Sequence, residues 1–133
     1  MPLPTDPSKD PLTPAEWKVM RIVWRLKKAA ARDVYTEAGE RHDWSVSTVK
    51  TMLRRLVDKR YLTTTQVGNS FLYRPARSAI HSLKNAADSL LDHALEGTTG
   101  PLIAHMVEKG KLSEQELSDL RSLLEKKDTK KTE

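Results

Sequence analysis

The stretch 45–60, SVSTVKTMLRRLVDKR, constrains this chain more than any other. Its spacing predicts a helix with one apolar face and one face of hydroxyls and arginines. Ser45 suits the N-cap, because its side-chain oxygen can accept an orphan backbone N–H of the first turn. At about 100° per residue, Val46, Val49, Met52, Leu53, Leu56 and Val57 gather on one side. Ser47, Thr51, Arg54 and Arg55 project from the other, flanked by Thr48 and Lys50. A helix docked on a small core by one face and offering donors on the other suits a DNA major groove. Taken alone, the pattern also describes an ordinary amphipathic helix with a solvated face. The neighbouring segments favour the first reading.

Upstream, Thr13-Pro14-Ala15-Glu16 opens a helix. Thr13 is the N-cap, Pro14 sits where its missing N–H does no harm, and Glu16 completes a capping box. This helix is expected to run to about Lys28. Trp17, Met20, Val23 and Trp24 share one side, and Val19, Ile22 and Leu26 extend it, so the helix is largely buried. Lys18, Arg21, Arg25 and Lys28 form its polar stripe, read as a solvated face rather than a DNA contact. Residues 31–41, ARDVYTEAGER, make a shorter helix with Val34 and Ala38 inward, and His42-Asp43-Trp44 link it to Ser45. Helix, short connection and capped basic helix form the helix-turn-helix pattern.

Two runs rich in β-branched and aromatic residues, 62–67 and 70–74, flank Gly68-Asn69, a pair suited to a primed hairpin turn. In that register Leu62, Thr64, Gln66, Phe71 and Tyr73 share a face, and Pro75 closes the strand. A two-stranded hairpin is marginal unless it packs on something. Directly after a recognition helix it reads as a wing.

Charge follows this division. Residues 12–75 carry 13 Lys/Arg against 6 Asp/Glu, net +7, whereas residues 76–133 carry 9 against 10, net −1. A compact basic module favours a polyanionic partner, although charge alone would also suit an acidic membrane surface. No apolar run approaches the ~18–20 residues needed to span a membrane, and the start, MPLPTDPSKDP, lacks the apolar core of a secretory signal. With no cysteine, disulfides and thiolate metal sites are excluded. These features suggest a cytoplasmic protein with a disordered leader over 1–11.

From Ser78 onward the pattern is helical. Ile80, Leu83, Ala87, Leu90 and Ala94 alternate three and four apart, with Leu91 and Leu95 beside them. Gly97-Thr98-Thr99-Gly100-Pro101 is expected to break this helix. Leu102, Ile103, Met106 and Val107 form a second apolar face ending near Gly110. The capping box Ser113-Glu114-Gln115-Glu116 starts a last helix with Leu117, Leu120, Leu123 and Leu124. The stretch KKDTKKTE, 126–133, is polar and expected to fray, with 129–133 as the tail beyond the last module. Short helices of this kind leave leucine surface uncovered, which a second copy would bury, so 78–128 reads as a dimerisation module. Packing back onto 12–77 is the alternative.

In this order the segments resemble the penicillinase-repressor family, the BlaI/MecI group of bacterial winged-helix repressors. The matching residues are LTPAEWKVMRIVW, DWSVSTVKTMLRRLVDKRYL, the FLYRP end of the wing and VEKGKLSEQELSDLRSLLEKK, over residues 12–127. Ala15-Glu16-Trp17 with Trp24, and Asp43-Trp44-Ser45, are the most specific. The resemblance implies a mainly α fold, a winged helix-turn-helix with a two-stranded wing followed by a small helical dimerisation module. It implies a homodimer on a palindromic double-stranded DNA operator. Ser47, Thr48, Lys50, Thr51 and Arg54 would meet DNA and the Asn69 region would contact phosphate, and the face pattern of the helix adds Arg55 to the DNA-binding set. Leu90, Leu117, Leu120 and Leu124 would bury the dimer interface. Many members repress β-lactamase or related genes. Several are inactivated by cleavage within the C-terminal helices once a membrane sensor-protease detects antibiotic.

Two departures stand out. Copper-sensing members use cysteine-rich ligands near the C-terminus, absent here. The Asn-Phe pair cut in antibiotic-responsive members corresponds here to His105-Met106, which leaves the protease and its signal open.

Other chemistry has little support. His42, His81, His93 and His105 lack a close metal-ligand spacing, so no metal or other cofactor is expected. No phosphate loop or nucleophile elbow is present, which argues against an enzyme. Two further readings stay open: a winged helix used as a protein-interaction module, and a small-molecule-responsive regulator with an interior pocket.

Overall fold

The computed structural model describes residues 11–132, with side chains to 129, so the expected leader lies almost wholly outside the described residues. The elements are α1 (Pro14–Leu26), β1 (Ala29–Ala30), α2 (Ala31–His42), α3 (Val46–Asp58), β2 (Leu62–Val67) and β3 (Ser70–Pro75). They continue with α4 (Ala79–His93), α5 (Thr99–Lys109) and α6 (Glu114–Thr132). Among the described residues no helix is long and apolar enough to cross a membrane.

The capping box at Thr13 forms as expected: Glu16 N–H donates to Thr13 Oγ1 at 3.2 Å, and Thr13 N–H to Glu16 Oε1 at 2.9 Å. The helix ends at Leu26, short of Lys28, because Lys27 turns into a positive φ of 67° and the chain must enter β1. The core is drawn from α1, α2 and α3. Val19, Met20, Val23, Val34, Ala38, Val49, Leu53 and Leu56 are all fully buried, with Tyr61 and Leu62 beside them. Val46, expected in the apolar stripe of α3, is 49% exposed. It occupies the first position of the helix, a turn beyond Val49, where the core has already ended.

The wing is part of a three-stranded antiparallel sheet, order β1-β3-β2, rather than a two-stranded hairpin alone. Ala29 pairs with Tyr73 and Ala30 with Leu72, giving the hairpin the packing partner it needs. The β2–β3 register joins Thr64 to Tyr73 and Gln66 to Phe71, as the face pattern requires. Gly68 has φ 62° and Asn69 does not go positive, the sign pattern of a type II′ turn.

The chain divides into two compact units, with the division falling between Leu90 and Leu91 of α4. The start of α4 belongs to the first unit because it is tied there. Trp24 Nε1 donates to Arg77 O at 2.9 Å, and Ser82 is buried with its hydroxyl on Ser78 O at 3.1 Å. In the second unit, α5 begins at Thr99, so Gly100 and Pro101 lie in its first turn and the break is confined to the residues before it. Proline is tolerated there because first-turn N–H groups have no helical acceptor. The Ser113–Glu116 capping box forms, with bonds of 3.1 Å in both directions. Helix α6 is described to Thr132. Among the described residues no side chain after Ser82 is buried.

Candidate nucleic-acid interface

Helix α3 is held at both ends. At its start Ser45 Oγ accepts the Thr48 N–H at 3.2 Å. At its end the Lys59 Nζ, on the C-cap residue, meets Glu16 Oε1 at 2.7 Å and Pro11 O at 3.3 Å. Glu16 is fully buried and its Oε2 has no partner among the described residues. Burial is the largest influence on this carboxyl and pushes its pKa up. The Lys59 hydrogen bond, the Thr13 N–H and the Lys59 charge together outweigh it and hold it below the ordinary carboxylate value. A charged pair therefore joins the end of α3 to the start of α1. It supplements the apolar face in fixing how α3 is presented.

The outer face of α3 carries Ser47, Lys50, Thr51, Arg54 and Arg55, all exposed, with Thr48 half-buried. Lys50, Arg54 and Arg55 form no ion pair among the described residues, although Asp58 is one turn from both arginines. Asp58 projects from the same face at the last turn, so the surface suited to a polyanion lies toward the N-terminal end. The hydroxyls are partly committed. Ser45 Oγ lies 3.0 Å from Thr48 Oγ1 and 3.3 Å from Ser47 Oγ, and Thr51 Oγ1 donates to Ser47 O at 3.0 Å. With its one donor spent, Thr51 offers lone pairs and a methyl group, a match for a base amino group or a thymine methyl. Arg54 keeps its full guanidinium fork, the group that pairs bidentately with guanine.

Beside α3, a groove of about 670 Å³ is lined by Arg32, Tyr35, Lys50, Asn69, Phe71 and Tyr73, among others. It brings Lys50 and Asn69, predicted from different segments, to one place. The sequence pattern gave no notice of its other wall. Ala30 is the N-cap of α2 and provides no side-chain acceptor, so the first-turn N–H groups of α2 have no side-chain cap. An uncapped helix start beside Arg32 and Lys50 is a natural seat for a phosphate, with Asp33 as the one acid in that wall. The available signal was an alanine where a helix start normally has Ser, Thr, Asp or Asn. Burial, followed by the nearby Tyr73, raises the Tyr35 pKa.

Leu90 and Leu124, expected to face a partner, are 55% and 63% exposed, while Leu117 and Leu120 are half-buried. His105 and Met106 are both exposed on α5. Among the described residues no three His, Asp or Glu side chains gather as a metal-binding group.

The model of the penicillinase repressor family matches residues 12–126. The chain belongs to the penicillinase repressor family. It is 29% identical over 116 residues to the methicillin resistance regulatory protein MecI of Staphylococcus aureus, covering 87% of this chain and 94% of that one. It is 28% identical over 122 residues to the penicillinase repressor of Bacillus licheniformis, covering 92% and 95%. An uncharacterized 16.5 kDa protein of Latilactobacillus sakei is 35% identical over 113 residues, covering 85% of this chain and 77% of that protein. Among solved structures, the DNA-binding domain of the repressor BlaI aligns with a TM-score of 0.51 at 28% identity, covering 58% of this chain and 90% of that domain. The penicillinase repressor fold is thus mainly helical here, a winged helix-turn-helix followed by further helices.

Proposed function

We propose that this protein is a DNA-binding transcriptional repressor that reads a palindromic operator as a homodimer. The observation that carries the reading is the outer face of α3. Lys50, Arg54 and Arg55 are exposed and free of acidic partners among the described residues, on a helix anchored by the fully buried Val49, Leu53 and Leu56. Ser47, Thr51 and Arg54 would read base edges, and Arg32, Lys50 and the Asn69 turn would hold backbone phosphates. Likeness to a methicillin resistance regulator and to a penicillinase repressor supports genes of the response to β-lactams as the regulated set.

The exposed leucines of α4 and α6 support a second copy as the partner. Cleavage in α5 near His105–Met106 would separate Leu117, Leu120 and Leu124 from the DNA-binding module. Helix α5 contains no buried residue, which lowers the cost of the local opening a protease needs. A sensor-linked protease would then end repression.

The test is binding of Arg54→Ala to operator and to random DNA. Loss of a bidentate base contact should cost about 1–3 kcal/mol on operator and relax preference at particular base pairs. Equal loss on both DNAs would make Arg54 a phosphate contact. Unchanged binding to both would refute the assignment and favour a protein-interaction module.

A further inference from the structure

A second basic concavity lies between α1 and the end of α2, away from the groove at the wing. Lys18, Arg21, Ile22 and Arg25 are successive positions on one stripe of α1, and Arg41 and His42 close the wall from the last turn of α2. It is an open groove of about 630 Å³. Ile22, 3% exposed, and Trp24 give it an apolar floor.

The charge in this space is unbalanced. Four cations line it and no carboxylate does. Glu37 alone pairs with Arg25 and, at 3.4 Å, with Arg41. Lys18 and Arg21 have no acidic partner among the described residues. A stripe on an isolated helix would disperse its charge into solvent. Here the fold brings the end of α2 against it, so the like charges are gathered into a concavity. Three guanidinium groups, two of them sharing Glu37, and an ammonium around an apolar floor match a multiply charged oxyanion, because a guanidinium can donate two parallel hydrogen bonds to it.

The concavity is also wired to the recognition helix. Lys18 Nζ lies 5.9 Å from the centre of the Trp44 ring, and the His42 ring lies 4.9 Å from the same indole. Trp44 directly precedes Ser45, the cap of α3. An anion that draws Lys18 or His42 inward acts on the residue that leads into that cap.

We infer that this concavity is an anion site for a phosphate-bearing group. The source is either a free phosphorylated metabolite or a backbone phosphate of DNA flanking the stretch read by α3. The polar stripe of α1, which the sequence pattern assigns to solvent, becomes half of a binding site once α2 is placed.

Inorganic pyrophosphate is the probe for the first source, titrated into the full-length protein by calorimetry and amide chemical shifts. Saturable binding is expected, with shifts centred on residues 18–25 and 41–44. The Arg21→Gln/Arg41→Gln variant should bind roughly tenfold more weakly or worse, the loss expected for removed charge-assisted hydrogen bonds. Arg54→Ala should bind pyrophosphate as the wild type does. Arg21→Lys, which keeps the charge, should retain part of the affinity, separating a lost site from a misfolded one. For the second source, the salt dependence of operator binding is compared between wild type and the double variant. A log–log slope shallower by about 0.9 for each phosphate no longer neutralised identifies a DNA phosphate. An unchanged slope with weakened pyrophosphate binding identifies a free anion. An unchanged slope with no saturation below about 10 mM pyrophosphate would overturn the proposal. So would shifts centred on α3 and abolished by Arg54→Ala.

Discussion

Lys59→Met isolates the ion pair that joins α3 to α1. The Glu16 carboxylate is fully buried and the Lys59 side chain is 22% exposed, with 2.7 Å between them. Removing one member of a fully buried pair costs about 3–5 kcal/mol, because the other charge is left without its partner. Here the Thr13 N–H still serves Glu16 and water reaches part of Lys59, so about 2–4 kcal/mol is expected. That is a large share of the ~5–15 kcal/mol stability of a domain. Urea denaturation at fixed protein concentration should show a lower midpoint with an unchanged slope. The pH dependence gives the sharper test. Because the Glu16 pKa is held below its unfolded value, its charged form contributes stability above that value, and this is lost as pH falls through the folded pKa. In Lys59→Met the burial is less opposed, so Glu16 takes up a proton more readily. The variant's deficit should be largest near neutral pH and shrink as pH is lowered toward about 4, because the stranded carboxyl of the folded variant takes up a proton before that of the wild type. Adding Glu16→Gln to Lys59→Met should recover part of the loss, since no charge is then stranded. A deficit below about 0.5 kcal/mol, or one constant across that pH range, would refute the view that a buried ion pair locks α3.

Ala30→Asp should separate stability from binding: a side-chain cap adds about 0.5–1 kcal/mol to the fold, while its charge weakens operator affinity at the α2 phosphate seat. Improved binding in a gel-shift titration would remove that seat from the interface. Leu124→Glu, at a position 63% exposed, should leave the winged helix folded by circular dichroism and yield monomers in sedimentation. A variant that still sediments as a dimer would take Leu124 out of the interface. Under β-lactam or envelope stress the intact protein should give way to a fragment ending near His105, with avidity reduced about 10²-fold or more. Derepression with only full-length protein on an immunoblot would exclude cleavage.

Local signals were sufficient wherever one residue type has one physical use. Thr13 with Glu16 and Ser113 with Glu116 marked two helix starts, because each pair satisfies N–H groups that nothing else in the helix can reach. Gly68 marked the wing turn, because a positive φ is cheap only without a Cβ. Val49, Leu53 and Leu56 identified the buried face of α3, and so identified by exclusion the face left to Ser47, Thr51 and Arg54.

Tertiary structure decided what depends on a distant partner. Ala29-Ala30 has no strand preference and becomes β1 only because β3 offers a free edge. Val46 fits the apolar stripe by angle, yet it lies past the end of the core. Capping chemistry made Glu16 legible as a helix-start residue, but its partner is Lys59, 43 positions away, and no spacing rule spans that distance. The same holds for the uncapped start of α2 beside Lys50 and for Arg41 facing the stripe of α1. Sequence periodicity determines which face of a helix is polar. Only the packing of one helix against another determines whether that polar face meets water, a phosphate or another charge.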